Sequence, residues 1–482
     1  MKISGHTING QFMGTTLFEH GIGKQAVVLN GNHYLTLAST GAGKSITSIW
    51  PQLLMGRYSG AIVISPKPEH ANLAAFRHAD PALFEFGASL PENAISLGCN
   101  PKVAKTTRYH LPRSRSFCLD PGGQTGWPSH RYTFLSDVDC DQPGAVGRLL
   151  AIASGSFPDN PKANDPWFTN GPRSALAAAC GHLLTAGYPV EEQTLPCALR
   201  RIMGIDPETG RASTDAQVAF LAEMMENPAL GGFIQIVAAS VNQLGEKAFG
   251  TLNSELQTKG IWMLDPTMEK VLSGPSDFRI DEIGVDDWPV TLFAIPPRGE
   301  RAADAWLRSI FELAGLVFQQ RKGAPKRPIL VVADEVGIWG KEVNKVREWL
   351  AIMRDKNVKL WLHAQNYPQL VEMYTESGAQ QILSACVLQV FGCSDPETRQ
   401  MIGKELGKRK LKGKQNDHDY KEVVDLAAGD AIARELSLSS SLQYVLAPNL
   451  PPMRLARVAH DRLTTDDGAH FDGLPLKGHY EE

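Results

Sequence analysis

This sequence lacks several features that are typical of zinc-binding, secreted, membrane-spanning and strongly basic proteins. The seven cysteines contain no Cys-X-X-Cys pair, and several lie inside apolar runs, which predicts core thiols in a reducing compartment rather than a zinc site. No apolar stretch approaches the roughly 18 to 20 residues that span a bilayer, and the N-terminus MKISGHTINGQF lacks a signal-peptide core. A net charge of −4 restricts contact with nucleic acid to local patches. We therefore expect a cytoplasmic protein without a transmembrane segment.

What the sequence does contain is a series of short apolar runs rich in β-branched residues. They lie at residues 34–39, 61–65, 116–119, 290–295, 329–333, 358–363 and 387–391. Near-continuous apolarity is typical of strands that are buried on both faces of a parallel sheet. Helical patterns lie between many of these runs, as in 302–321, so the fold class that we predict is α/β with a mostly parallel central sheet.

One segment, residues 140–262, carries helical patterns and no convincing strand run. A chain of 482 residues is long enough for about two to four domain-sized units. We therefore predict that residues 1–139 and 263–482 are two parts of one α/β domain. Residues 140–262 are predicted to form an all-helical domain inserted between those parts.

The stretch TLASTGAGKS, residues 36–45, nearly matches the phosphate-binding pattern G-x-x-x-x-G-K-[ST], with Ala38 in place of the first glycine. A strand run precedes it and an apolar helical pattern follows, which is the context that the motif requires. Lys44 is expected to reach the β- and γ-phosphates of ATP, and the Ser45 hydroxyl to bind Mg²⁺. The residues predicted to bind the nucleotide are Ser39, Thr40, Gly41, Ala42, Gly43, Lys44, Ser45 and Ile46. An ordinary glycine-rich turn is the alternative.

The run RPILVVADEVGIWG supplies two acids at the end of a buried strand, within the candidate Walker B segment 329–335. Such strand ends are where ligands bind in open α/β sheets. Asp334 is the candidate Walker B acid, which binds Mg²⁺ directly or through water. Glu335 is the candidate general base for an attacking water, which favours hydrolysis over binding alone. The alternative is a structural role, such as capping of the next helix.

Three weaker signals follow. Gln365 stands at the end of the next strand run, where an amide can sense the γ-phosphate or position water, although such a residue is more often part of a turn. Arg354 lies between the two strand runs and can act as an arginine finger on the nucleotide of a neighbouring subunit; a solvated arginine is the alternative. The basic segment 404–414 predicts a solvated loop or a contact with a phosphate backbone.

In their order along the chain, these motifs resemble those of the type IV coupling proteins, the TraG-like ATPases of conjugation. ASTGAGKS is similar to the family's phosphate loop, LVVADEVGIWG to LLLDEFANLG, and FGCSDPETRQMIGKELGK to FGANDPETAKYISELLGK. Pro66, Lys67 and Glu69 match a D-P-K-G-E pattern, and Arg77 a later arginine. The other similar stretches are SFCLDPGG with RYTFLSD, NDPWFTNGPRSAL (Asp165, Pro166, Trp167), MRDKNVKLWLHAQNYPQLVEMY and the closing strand in YVLAPNLPPMRLARV. The resemblance covers residues 28–462.

The resemblance implies a RecA-like P-loop NTPase with an inserted all-α domain and with ATP and Mg²⁺ as cofactors. It implies a homohexamer that can be monomeric without DNA or nucleotide, with Gln365 as γ-phosphate sensor and Arg354 as arginine finger. The implied partners are single- or double-stranded DNA, a relaxase or secreted effector proteins, and inner-membrane components of a secretion channel.

The sequence departs from the family pattern in four places, one of which is VGIWG in place of the usual FANLG. Ser65 stands where the family has aspartate, and Pro68 where it has glycine. Family members usually carry two N-terminal transmembrane helices, whereas none of the residues before Lys44 can span a bilayer. We therefore expect the chain to reach the inner membrane through a partner, or to have a soluble role.

The function predicted from these observations is an ATP-driven motor that recruits relaxase-bound DNA and translocates it to a secretion channel. One alternative is a coupling adaptor that selects protein effectors through the helical segment 140–262. Another is a generic soluble hexameric RecA-like ATPase that translocates DNA in packaging or defence. All three share the nucleotide site and differ in what it drives.

Overall fold

The structure is a computed structural model that describes most of the chain. The described residues are 11–18, 21–55, 58–72, 115–126, 128–158, 167–206, 209–285, 289–297, 302–337, 345–415, 418–425, 427 and 429–459. The strands are β1 (Gln11–Phe18), β2 (Gly21–Leu29), β3 (His33–Leu37), β4 (Gly60–Ile64), β5 (Arg115–Leu119), β6 (Val290–Ala294), β7 (Ile329–Ala333), β8 (Val358–Ala364), β9 (Cys386–Val390), β10 (Lys408–Gln415), β11 (His418–Asp425), β12 (Leu442–Leu446) and β13 (Met453–Ala456). Eleven of these described strands form one sheet, in the order β2-β1-β13-β12-β9-β3-β8-β7-β4-β6-β5.

Seven neighbouring strands of this sheet, from β9 across to β5, run parallel to one another. They correspond to the seven apolar runs of the sequence, so each predicted strand and the α/β class are confirmed. Every residue of β3, β4, β6, β7 and β9 is buried. Burial on both faces explains why these strands show no alternation of polar and apolar residues.

The other edge of the sheet is antiparallel. There β12 pairs with β9, β13 with β12, β1 with β13, and β2 with β1. Of these four strands the sequence predicts only the closing strand, β13. The segments QFMGTTLF and GIGKQAVVL of β1 and β2 mix glycine and polar residues with apolar ones, so they lack the continuous run that identifies the parallel strands.

The helices are α1 (Trp50–Met55), α2 (Glu69–Asn72), α3 (Ala145–Ser154), α4 (Trp167–Thr185), α5 (Leu195–Ile202), α6 (Thr214–Met225), α7 (Phe233–Asn242), α8 (Glu246–Gly260), α9 (Pro266–Leu272), α10 (Ala302–Gln320), α11 (Lys345–Ile352), α12 (Tyr367–Ala385), α13 (Pro396–Leu406) and α14 (Gly429–Glu435). Between β5 and β6 the described part of the chain contains helices and no named strand. Helical structure also continues past residue 262, through α9 and a 3₁₀ turn at Ile280–Glu282. The division into domains at residues 139/140 and 262/263 stays a prediction.

The helical segment packs against the α/β part through α3 and α10. The Ser309 hydroxyl on α10 donates a hydrogen bond to the Ile152 carbonyl on α3 at 3.0 Å. A Cβ at Gly155 would lie only 1.9 Å from the Ser309 oxygen, so this close approach of the chain requires glycine. One continuous hydrophobic core includes Leu149 of α3 and Phe311 of α10 together with the strands.

The basic segment 404–414 is ordered differently from the sequence prediction. Residues up to Leu406 belong to α13, and β10 pairs with β11 in an antiparallel hairpin in which Lys408 lies opposite Asp425. The prediction of a loop is therefore wrong, because residues 408–415 form a strand. The lysine-rich composition belongs to one strand of the hairpin only. It does not indicate that the later segment HDYKEVVD pairs with that strand.

The described cysteines are free thiols. Cys118, Cys180, Cys386 and Cys393 are buried, and Cys99 lies outside the described residues. Among the described residues, no helix has both the length and the apolar character needed to cross a membrane.

Candidate nucleotide-binding site

The candidate residues meet at one edge of the sheet because parallel strands place their carboxyl ends together. The segment TLASTGAGKS continues from β3, Asp334 and Glu335 follow β7, and Gln365 follows β8, which lies between those two strands. Arg77, Asp165 and Pro166, which carry part of the family resemblance, lie outside the described residues.

The phosphate loop, residues 38–45, is held by the ends of both strands that flank β3. The Ala38 N–H donates to the Ala364 carbonyl at 3.0 Å, and the Ser39 N–H donates to the Gly392 carbonyl at 3.3 Å. Gly41 and Gly43 have φ of 78° and 83°, in the left-handed region that favours glycine. Ala38 is fully buried and is not among the residues with positive φ, so a small side chain fits where the pattern has glycine.

The Lys44 side chain lies across this loop. Its ammonium group donates to the Ala38 carbonyl at 2.6 Å. Burial lowers the pKa of Lys44, and attraction to the Asp334 carboxylate opposes that shift. The charge is therefore held at the mouth of the loop, where a phosphate group can accept from it.

The helix after the loop starts with a π-helical turn at Ser45–Ile49, and α1 follows. The Ser45 side chain is buried, and the Thr47 N–H donates to the Gly43 carbonyl at 3.0 Å. Ile46, the last residue of the predicted nucleotide contacts, is partly buried in this turn. Single π-helical turns are frequent at functional sites, because they displace side chains from their α-helical positions.

Three donors converge on the carboxylate of Asp334, which is 3% exposed. Its Oδ2 accepts from the Ser65 hydroxyl at 2.9 Å and lies 2.9 Å from the Lys67 ammonium and 3.2 Å from the His70 Nε2. Burial raises the pKa of Asp334, but the hydrogen bond from His70 and the charge of Lys67 outweigh it and leave that pKa below its ordinary value. Asp334 is therefore held as a carboxylate.

The contacts of Trp50 fix how the His70 ring is protonated. The Trp50 indole N–H, at the start of α1, donates to His70 Nδ1 at 2.8 Å. Indole is a donor only, so Nδ1 must accept and the ring proton lies on Nε2, facing Asp334. The helix behind the phosphate loop is thus connected through one imidazole to the acid at the end of β7.

These donors were only partly visible in the sequence. Lys67 belongs to the stretch that matches the D-P-K-G-E pattern, whereas Ser65 departs from the family pattern and no motif includes a role for His70. The structure shows that Ser65 keeps a hydrogen bond to Asp334 where the family pattern has an acid. His70 lies 264 residues before Asp334 in the chain, and Trp50 lies further away still.

The residues at this edge fit a magnesium ion. Asp334 Oδ1 is buried and has no hydrogen-bond partner in the part of the chain that the structure describes, so one oxygen of an ionised carboxylate is not engaged there. The buried Ser45 hydroxyl is the other predicted ligand, at the start of the π-helical turn. Mg²⁺ usually takes one or two protein oxygens and completes its shell with water and phosphate oxygens, which matches this small donor set.

Replacing His70 with alanine is expected to raise the Mg²⁺ concentration needed for half-maximal hydrolysis by about 10- to 100-fold, because the partner that orients Asp334 is lost. Nucleotide binding in EDTA should be unchanged. A Mg²⁺ titration, with Mn²⁺ binding followed by electron paramagnetic resonance, measures the effect. His182→Ala, in the helical segment, serves as control, and an unchanged metal dependence in His70→Ala would contradict the assignment.

Glu335 and Gln365 are brought together as the sequence predicts for neighbouring strand ends. The Gln365 amide Nε2 donates to Glu335 Oε1 at 2.8 Å, and the Gln365 backbone N–H donates to the Gln369 side chain at 2.7 Å. Among the described residues, Glu335 Oε2 makes no hydrogen bond. This oxygen is therefore available to accept a proton from water.

Arg354 is the one candidate that the structure does not bring to this edge. It is exposed in the 3₁₀ turn Met353–Lys356, directly before the amino end of β8, whereas Gln365 follows the carboxyl end. A strand of this length separates the two ends by about 20 Å. Arg354 can therefore act only on the nucleotide of another copy of the chain.

His363, two residues before Gln365, is fully buried, and neither of its ring nitrogens has a hydrogen-bond partner among the residues that the structure describes. Burial lowers its pKa from 6.5 to about 3, and burial lowers the pKa of His33 to about 4. Because the unfolded chain binds more protons below pH 6.5, stability should fall as the pH drops, by about 1.5 kcal/mol per ring between pH 6.5 and 5. Urea unfolding at the two pH values tests this. The free energy of unfolding of His363→Leu should fall less between pH 6.5 and 5 than that of the unaltered protein, by the contribution of one ring. An equal pH dependence in the variant and the unaltered protein would contradict the prediction.

A phosphate loop on a mostly parallel sheet, facing acids and an amide at neighbouring strand ends, defines the class as RecA-like P-loop NTPases. The chain belongs to the family described as "Type IV secretory system Conjugative DNA transfer", which matches residues 113–425, well over half of the chain. The resemblance seen in the sequence is thereby confirmed. The match begins after the phosphate loop and includes Asp334, Glu335 and Gln365.

Solved structures of a conjugative coupling protein share the fold. The unbound monoclinic form of the bacterial conjugative coupling protein TrwBdeltaN70 is 17% identical, with a TM-score of 0.60, over 89% of this chain and 85% of that chain. The plasmid coupling protein TrwB in complex with ADP and Mg²⁺, and with the non-hydrolysable ATP analogue ADPNP, has a TM-score of 0.59 and 16% identity over the same shares. No curated protein matches the chain.

Proposed function

We propose that this chain is an ATP-hydrolysing motor of conjugative DNA transfer, which recruits relaxase-bound DNA and moves it to a secretion channel. One observation carries the proposal: a phosphate loop with Lys44, an ionised Asp334 and a Glu335–Gln365 pair lie together at the carboxyl edge of the sheet. The family membership and the ADP–Mg²⁺ complex of TrwB support the same reading.

The phosphate loop binds the nucleotide in this proposal. Backbone N–H groups of residues 39–46 surround the phosphate oxygens, and the left-handed Gly41 and Gly43 give the loop its concave shape. Lys44 leaves the Ala38 carbonyl and donates to the β- and γ-phosphates instead. ATP is therefore held through its triphosphate, as P-loop proteins hold it.

Asp334 and Ser45 would hold Mg²⁺, with Asp334 Oδ1 as the free carboxylate oxygen. When bound, Mg²⁺ neutralises charge on the β- and γ-phosphate oxygens. Ser65, Lys67 and His70 keep Oδ2 occupied, so the carboxylate is presented in one orientation. A fixed orientation of the ligand is the contribution of this chain to metal affinity.

Glu335 activates the attacking water. Its Oε1 is held by the Gln365 amide, and Oε2 takes the proton as water attacks the γ-phosphorus. The bond from that phosphorus to the β–γ bridging oxygen breaks, and ADP leaves with the bonding electron pair. Gln365 thereby links the base to the end of β8 and can respond to loss of the γ-phosphate. Arg354 of an adjacent copy supplies a positive charge to the same phosphate if the chain forms a ring.

The β10–β11 hairpin is the proposed contact with DNA. Lysines occupy positions 408, 410, 412 and 414, which alternate along β10. A basic strand can follow a phosphate backbone, with an affinity that falls as salt rises. Relaxase, effector proteins and inner-membrane channel components are the further partners that membership of the family suggests.

The test is ATP hydrolysis by the purified chain with and without single-stranded and double-stranded DNA at low salt. The proposal expects that at least one form of DNA raises the rate and binds, and that rising salt removes both effects. If neither DNA binds or raises the rate, DNA translocation loses its support. Retention of a relaxase or an effector by the same inactive protein would then favour the adaptor that selects proteins.

A further inference from the structure

Arg457 reaches the phosphate loop from the antiparallel edge of the sheet. It directly follows β13, and its guanidinium donates hydrogen bonds to the Ala42 carbonyl in the loop and to the Ser440 carbonyl. The same group lies over the Phe391 ring, with Cζ 4.6 Å from the ring centroid. Arg457 lies inside the closing-strand stretch YVLAPNLPPMRLARV, but the sequence gives it no role.

The charge of Arg457 has no anionic partner in the part of the chain that the structure describes. Its Nε is buried without a hydrogen bond, and burial lowers the pKa of Arg457 to about 10. Arg454 on the same strand differs, because it is exposed and forms an ion pair with Glu435 at 2.7 Å. A buried cation without a carboxylate is unfavourable, so a ligand that supplies negative charge nearby would stabilise it.

The bond from Arg457 also sets the direction of one loop amide. A trans peptide is planar, so the carbonyl of Ala42 and the N–H of Gly43 point in opposite directions. The guanidinium binds this carbonyl, so the Gly43 N–H points away from Arg457. Among the described residues this N–H has no hydrogen-bond partner, so it is available to a ligand.

The neighbouring contacts leave the loop little freedom to turn. Ala42 packs with Ala38 and Phe391 in a small buried cluster. A Cβ at Gly392 would lie 2.4 Å from the Ala42 Cβ, which shows how closely the segment after β9 approaches the loop. Arg457 adds a polar contact to these apolar ones, since it donates a hydrogen bond to the carbonyl of the same residue, Ala42.

We propose that Arg457 is a positioning residue for phosphate binding, which orients the Ala42–Gly43 peptide toward the nucleotide and places an uncompensated positive charge beside it. The inference rests on the proposed nucleotide site. Because the loop recognises phosphate groups, the expected ligand chemistry is a polyphosphate, with or without a nucleoside. Arg457 thereby couples the antiparallel edge of the sheet to the site on its parallel half.

The test compares Arg457→Met, which keeps the packing over Phe391, with Arg457→Lys and with the matched control Arg454→Met. Binding of Mg·ADP and of inorganic tripolyphosphate to the full chain is measured by calorimetry. Arg457→Met should weaken both ligands roughly 10- to 100-fold, Arg457→Lys less, and Arg454→Met should bind normally. In hydrolysis the KM for ATP should rise with little change in kcat, because the Gly43 N–H that Arg457 orients is proposed to bind the ground state and the transition state alike.

A purely structural role gives a different pattern. If Arg457 only stabilised the fold, Arg457→Met would lower the unfolding midpoint of the ligand-free protein and the kcat of the preparation. The affinities for Mg·ADP and tripolyphosphate would stay at the wild-type values, and that result would overturn the inference. A loss for Mg·ADP but not for tripolyphosphate would also overturn it, since contact with the nucleoside would then be responsible. If the unaltered chain binds neither ligand, the proposed nucleotide site itself fails.

Discussion

Replacing Glu335 with glutamine is expected to lower the kcat for ATP hydrolysis by about 10²- to 10⁴-fold while ATP still binds. The substitution removes the carboxylate oxygen that accepts the proton of water and keeps the size of the side chain. The grip on the phosphates is separate from this residue, because it depends on the loop and on Lys44. Phosphate release and nucleotide affinity, measured on the same preparation, separate the two effects.

Glu226→Gln, an exposed position in the helical segment, is the control and should hydrolyse ATP at the normal rate. Near-wild-type turnover in Glu335→Gln would show that another group accepts the proton. Loss of binding together with turnover would place Glu335 in the nucleotide grip instead. Either result would contradict the role proposed for it.

Replacing Lys44 with alanine is expected to weaken ATP binding and to abolish turnover. Among the described residues, the Lys44 side chain makes one hydrogen bond, to the Ala38 carbonyl, so the substitution should cost the fold little. Its positive charge lies where the β- and γ-phosphates are proposed to bind, and a charge-assisted contact of this kind contributes about 1.5–3 kcal/mol to binding alone. Mg·ATP affinity should therefore fall at least about tenfold, and hydrolysis further because charge on the transferred phosphate is no longer stabilised.

Lys259→Ala is the matched control, because Lys259 forms a surface ion pair with Glu255 in α8 and lies in the helical segment. Equilibrium dialysis and phosphate release report the two quantities for both variants. Hydrolysis that persists in Lys44→Ala would mean that the phosphate loop is not where ATP reacts.

The parallel half of the fold could be predicted because its strands are identified by local composition. β3, β4, β6, β7 and β9 are buried at every position, and burial of this kind leaves a continuous apolar run. β1 and β2 lie at the antiparallel edge and carry no such run. The β10–β11 hairpin was missed for a related reason, since pairing depends on a second strand that a basic composition does not indicate.

The candidate site divides in the same way. Lys44, Asp334 and Glu335 belong to contiguous motifs whose meaning is set by a few neighbouring residues, and Gln365 takes its meaning from its order after them. The contacts of His70 with Asp334 and of Arg457 with Ala42 join residues 264 and 415 positions apart. Such contacts arise only from the folded arrangement of the strands, so no spacing in the sequence can reveal them.

The central claim of this account is that the carboxyl edge of the sheet binds Mg²⁺ and nucleotide through Lys44 and Asp334. Calorimetric titration of the full chain with ADP, in the presence and absence of Mg²⁺, tests it most directly. The account predicts one site per chain, tighter binding with Mg²⁺ in the unaltered protein, and loss of that gain in Asp334→Asn. Absence of ADP binding, or binding that neither Mg²⁺ nor Asp334→Asn alters, would contradict it.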